Sequence, residues 1–154
     1  LFTAAASATL AATTLIASGS FAAEDERSAP EFDKSGHGAV LCFAMINASV
    51  KAYADTCKPE GHAEISAALG ESLDDIAKFS GKNGDRTEAE YAAFIDGYYE
   101  RAMADGAKDK AKECSKESTK DFYAPFLKAT GDDIRKGTAK MLSVPRKPLM
   151  NPCL

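Results

Sequence analysis

The stretch Ala39–Cys57, AVLCFAMINASVKAYADTC, decides how this chain folds. Ala44, Ala48 and Ala52 recur at every fourth residue, flanked by Leu41, Met45 and Tyr53. That spacing puts the three alanines on one stripe of a helix, where the lack of bulk lets a neighbouring helix come close. The pattern predicts a single helix over 38–57. Lys58-Pro59 ends it, because a residue before proline is disfavoured in the helical region.

The same helix constrains the cysteines, Cys42, Cys57, Cys114 and Cys153. Along an unbroken helix Cys42 and Cys57 stand about 22 Å apart, whereas a disulfide needs Cα atoms within about 7 Å. An even cysteine count in a small exported domain reads as two disulfides. Cys42 and Cys57 must then each pair with Cys114 or Cys153, and both arrangements stay open.

Export is read from Leu1–Ala22, LFTAAASATLAATTLIASGSFA, which holds no charged residue. Ser20-Phe21-Ala22 places small residues where signal peptidase requires them, so residues 1–22 are expected to be a signal peptide, N-terminally incomplete because its charged start is missing. Its run of Ala, Thr and Ser is too weakly apolar for a membrane span. The alanine-rich style is bacterial, and the expected location is periplasmic or secreted. Residues 23–37 are charged and aperiodic, and are expected to form a flexible leader. A single helical domain is expected over 38–154, within the size that buries a core on its own.

Beyond the first helix, a second is expected to start near Pro59, with Ile65, Ala68, Leu69, Leu73 and Ile76 on its buried stripe. Ser80–Gly84 (SGKNG) reads as a turn. Thr87 followed by Glu90 predicts a capping box opening a third helix, with Tyr91, Phe94, Ile95, Tyr98 and Ala102 inward. Asp105-Gly106 is expected to stop or kink it. The next segment carries Lys108, Lys112, Lys116 and Lys120 at every fourth position, each followed by Asp109, Glu113, Glu117 and Asp121. On one continuous helix these would be two parallel ridges of opposite charge, with Cys114 on the inner face. A last helical segment is expected from Phe122 to about Leu142, weakened by Gly131 and Gly137. Prolines keep Val144–Leu154 out of a helix. No stretch alternates with period two. The fold expected is all-α, a small bundle of four to five helices stapled by two disulfides, with an extended Pro-rich C-terminal tail.

Composition narrows the function. Charged residues at 27% and a net charge of −4 argue against a membrane-embedded body or a nucleic-acid binder, and no stable membrane insertion is expected once the signal is cleaved. Charge is divided along the chain: residues 23–107 hold 8 basic and 17 acidic side chains, residues 108–154 hold 11 and 6.

His37, Cys42, Cys57 and His62 form an H-x4-C…C-x4-H pattern, but a helix would separate the two pairs too far for one zinc ion, so no metal is expected. C-x-x-C-H, C-x-x-C, G-x-S-x-G and the P-loop are absent, and no cofactor is expected. Ser80–Phe94 fails as a calcium loop, with Arg86 at the required glycine and Ala92 at the bidentate glutamate. Glu71 could act as the acid of a helical, lysozyme-like enzyme cleaving envelope polymers, which would need an apolar pocket and a second carboxylate.

The function expected is that of a small exported binding or interaction protein without catalytic activity, such as an inhibitor, immunity or chaperone-like factor. Its partner would be an envelope protein or another periplasmic macromolecule. The partner-binding candidates are Lys108, Lys112, Lys116, Lys120 and Tyr99. The alternatives are the Glu71 enzyme and a carrier of a small apolar ligand between helices.

Overall fold

Among the described residues the first helix, α1 (Val40–Cys57), packs against both α2 (His62–Asn83) and α3 (Glu88–Lys108), which also pack on each other. The computed structural model describes residues 30–153, so the signal-peptide reading of 1–22 lies outside the described residues. Ala44, Ala48 and Ala52 are buried on α1, together with Val40 and Val50. Three further helices follow among the described residues: α4 (Lys110–Ser115), α5 (Glu117–Leu127) and α6 (Gly131–Met141). The described residues hold no strand, only an isolated bridge between Phe32 and Asn151.

Six helices replace the expected four to five, and the differences have local causes. The expected turn at Ser80–Gly84 is helical through Asn83, whose side-chain amide donates to the Phe79 carbonyl (2.8 Å) while Gly84 N–H donates to the Ser80 carbonyl (2.7 Å). The glycines serve close packing instead. A Cβ on Gly81 would sit 2.5 Å from the Glu88 nitrogen, and one on Gly84 would sit 2.2 Å from the Tyr91 hydroxyl. α2 can therefore hand over to α3 in a few residues. The capping box of Thr87 and Glu90 opens α3 as expected.

Asp105-Gly106 does not end α3. Gly106 lies against α1, its Cβ direction 3.4 Å from Thr56, and the helix continues to Lys108. The break falls at Asp109 (φ −146°, ψ 62°), which caps α4 through the Lys112 N–H, and again at Lys116 (ψ 121°). The expected last segment is likewise divided. Thr130 and Asp133 form a second capping box that starts α6 afresh, a signal the sequence reading passed over. The N–H of Gly131 donates to Glu64 Oε1 of α2 (3.0 Å), which sets α6 on α2.

Two apolar clusters form the core. Val40, Ala44, Leu73, Ile76 and Ile95 join α1, α2 and α3, while Val50, Ile65 and Leu69 meet Phe126 and Ile134 from α5 and α6. A buried polar thread crosses between helices: Asn47 Nδ2 donates to Ser72 Oγ (2.8 Å), which lies 2.7 Å from Thr138 Oγ1, which donates to the Ile134 carbonyl (2.9 Å).

The disulfides are Cys42–Cys153 (Cα–Cα 5.3 Å) and Cys57–Cys114 (5.5 Å), so both ends of α1 are tied to the back half of the chain. Residues 145–150 have no regular structure, and their path supplies what α1 lacks. α1 has no side-chain N-cap, and the carbonyl of Leu149 accepts the N–H of Leu41 (2.9 Å), one of the amides that a helix start leaves unpaired.

Arg146 anchors this path. Its Nε donates to Asp33 (2.9 Å), and its other nitrogens donate to the carbonyls of Met141, Val144 and Gly38. The side chains of Arg146 and Asp33 are 9% and 3% exposed, so this is a buried ion pair. Of the leader's described part, Phe32 and Asp33 therefore lie along the C-terminal segment, and Glu31 pairs with Lys147.

Candidate functional site

Lys108, Lys112, Lys116 and Lys120 are all exposed, but they do not share a helix. Lys108 closes α3, Lys112 sits on α4, Lys116 lies at the α4–α5 break and Lys120 sits on α5. The two parallel ridges are thus broken at Asp109 and Lys116, where the backbone leaves helical geometry. Lys108 pairs with Asp105 (2.6 Å), back along its own helix. Arg146, also in the basic half of the chain, is buried in its pair with Asp33. What remains is an exposed arm: neither α4 nor α5 contains a buried residue. It is held to α1 by the Cys57–Cys114 bridge and by Tyr123 stacked on Tyr53 with ring centroids 4.3 Å apart. The end of α5 adds half-buried Phe126 and Leu127 to the second core cluster.

Tyr99 is neither in the core nor free. Its hydroxyl donates to Asp55 of α1 (2.7 Å), and Lys51 lies 2.7 Å from the same carboxylate and 4.5 Å from the centre of the Tyr99 ring. Burial works to raise the Asp55 pKa, but hydrogen bonds from Lys51, Ser66 and Tyr99 outweigh it and hold the carboxyl below its ordinary range. The three side chains clasp α1 to α3. Sequence periodicity could not find this, because Asp55 and Tyr99 meet only across a helix interface.

Glu71 is exposed and receives two hydrogen bonds from Arg135 of α6, at 2.6 and 3.2 Å. The Arg135 guanidinium lowers its pKa. A general acid needs the opposite, an apolar pocket that raises it. Burial raises Tyr91, Tyr99 and Tyr123, while among the charged groups the carboxylates Asp33, Asp55, Glu71, Glu90 and Asp133 move down and Lys51, Arg135 and Lys147 move up. These last shifts deepen the charged states of ion pairs and caps.

All four cysteine sulfurs are used in the two bridges. His62 Nδ1 lies 3.0 Å from the Pro59 carbonyl. Among the described residues no three His, Cys, Asp or Glu side chains converge as metal ligands, and no helix is long and apolar enough to cross a membrane.

Several grooves open on the surface of the described residues. One of about 330 Å³ lies where α1 and α3 meet the arm, between Tyr53, Thr56, Gly106 and Tyr123. A second, of about 360 Å³, is lined by Leu41, Arg86, Tyr91, Phe94 and Lys147. A third, of about 290 Å³, lies between α1, α2, α5 and α6 and is almost wholly apolar. Sequence reasoning missed it because its walls come from four separate helices. No family model, no curated protein and no solved structure matches this chain.

Proposed function

We propose that this chain is a small exported helical protein that binds a macromolecule of the periplasm or cell envelope, without catalysis of its own, through the arm formed by α4 and α5. The arm carries this reading. It runs from Lys110 to Leu127 with no buried residue, yet a disulfide holds it against the bundle. Folding alone does not require so long a charged and exposed segment, since exposed ion pairs contribute only about 0–1 kcal/mol each. A surface of mixed charge suits orientation and rate of association more than raw affinity. The cystines support an oxidising compartment.

The test compares capture from envelope extract by the wild-type chain and by Lys112→Glu/Lys116→Glu. Both lysines are exposed, and among the described residues neither makes an ion pair, so the circular dichroism spectrum and Tm should stay the same. Capture should weaken in the variant and, for the wild type, fall with added salt, because screening shortens the reach of exposed charges. Capture that survives the reversal and ignores salt would remove the arm as the binding surface and shift attention to the surface around Tyr99.

A further inference from the structure

We infer that the apolar groove between α1, α2, α5 and α6 is a binding site for a small neutral alcohol or phenol with an apolar body. Phe43, Val50, Leu69, Pro125, Phe126 and Ile134 form its walls, and Asn47 also lines it. Asn47 is the observation that points to a ligand. It is 3% exposed, a strongly polar side chain in an otherwise apolar surround.

The hydrogen-bond thread fixes which way its amide faces. The Ile134 carbonyl can only accept, so Thr138 Oγ1 spends its proton there. Ser72 Oγ must then donate to Thr138, and having spent its own proton it can only accept from Asn47. Nδ2 of Asn47 is therefore committed inward. Among the described residues no donor reaches Oδ1, and this oxygen is not sealed off either, since the one fully enclosed unpaired side-chain atom among them is Ser80 Oγ. Asn47 lines the groove, so its acceptor oxygen is placed for an apolar ligand carrying one O–H donor, which would take the place of water on it.

Size and charge narrow the class. The groove, at about 290 Å³, has roughly twice the volume of an engineered cavity of about 150 Å³ that takes benzene, which matches a fused bicyclic ring or a medium alkyl chain. Asp133 at the rim accepts hydrogen bonds from the Thr130 hydroxyl (2.7 Å) and backbone N–H (3.0 Å), which hold its carboxyl ionised. A carboxylate ligand would meet like charge there. The site does not depend on the binding role proposed for the arm, and either can fail alone.

The probes are 2-naphthol, naphthalene and 2-naphthoate, added to the disulfide-bonded protein and followed by amide chemical shifts. Shifts should concentrate at Val50, Ala129, Gly137 and the Asn47 side-chain amide. Naphthol should bind about five- to tenfold more tightly than naphthalene, the net worth of one hydrogen bond, and naphthoate more weakly than naphthol. Gly137→Leu should weaken binding of all three. Gly137 lines the exposed edge of the groove and a Cβ there meets nothing within 4 Å, so a leucine adds bulk beside the site without a clash. Asn47→Leu should make naphthol and naphthalene bind alike. If that variant does not fold, Gly137→Leu and the naphthol–naphthalene ratio decide. Equal affinities in the wild type, shifts scattered away from the groove, undiminished binding in Gly137→Leu, or no binding up to the solubility of naphthol would each overturn the inference.

Discussion

The three-helix core and the arm share a chain but not a way of being held. In α1, α2 and α3, stripes of small and aliphatic residues interlock, and Val40, Val50, Leu69 and Ile76 are wholly or almost wholly enclosed. In α4 and α5 nothing is buried, and one cystine, one tyrosine stack and the end of α5 do the holding. The core is held by packing as well as by the Cys42–Cys153 bridge on α1. The arm keeps its place largely through a covalent bond, which leaves its outward face free of folding constraints.

The largest expected effect separates the two bridges. Replacing Cys42 and Cys153 by serine frees the segment that caps α1 and buries Arg146. Because the bridge spans 111 residues of sequence, the chain-entropy account puts its loss near 4–5 kcal/mol. Replacing Cys57 and Cys114 should cost about 2 kcal/mol, because a released arm regains freedom in the native state as well as in the unfolded one. Denaturant unfolding gives both values. Hydrogen exchange should show protection lost across 110–127 in the second variant only. Equal losses with no local exchange would mean that the arm is as firmly packed as the core.

Next is the buried pair of Asp33 and Arg146. Burial works to raise the Asp33 pKa, but hydrogen bonds from Ser35 and Arg146 prevail and hold it low in the folded state. A carboxyl lowered on folding stabilises the protein above its ordinary pKa of about 3.9, and that contribution disappears as pH falls through the folded value. Asp33→Ala should cost about 3 kcal/mol near neutrality, since it strands a buried guanidinium. It should also flatten the acid side of the stability curve. An unchanged acid limb would show that the pair does not hold the C-terminal segment.

The smallest effect tests the arm directly. Phe122 is 53% exposed on α5, and Phe122→Ala should change stability by less than about 0.5 kcal/mol. Ile76→Ala, at a fully buried core position, should cost about 2–5 kcal/mol. A Phe122 effect near that of Ile76 would erase the contrast between the two regions.

Where apolar periodicity was strong, sequence and structure agree. The stripe from Ile65 to Ile76, the alanine stripe of α1 and the capping box at Thr87 all stand where their patterns put them. The exclusion of a Cys42–Cys57 bridge holds for the same reason, because an unbroken helix keeps those residues apart. The reading failed where charge periodicity stood in for apolar periodicity. From Lys108 to Asp121 the i+4 charges imply one helix, but no buried stripe enforces it, and Asp109 and Lys116 leave the helix where capping and the disulfide demand it. Glycines misled in another way. Gly81 and Gly84 read as a turn, though their role is to let α3 and Tyr91 come within contact of α2.

The sequence by itself determined the helical class, the places and buried stripes of the first two helices and the exclusion of a Cys42–Cys57 bridge, because each follows from spacing along one element. Tertiary structure decided the pairing of the cysteines, the burial of Arg146, the clasp of Lys51, Asp55 and Tyr99, and the groove above Asn47. Each of these joins residues far apart in the chain, and only the packing of helix on helix brings them within reach of a hydrogen bond or a covalent one.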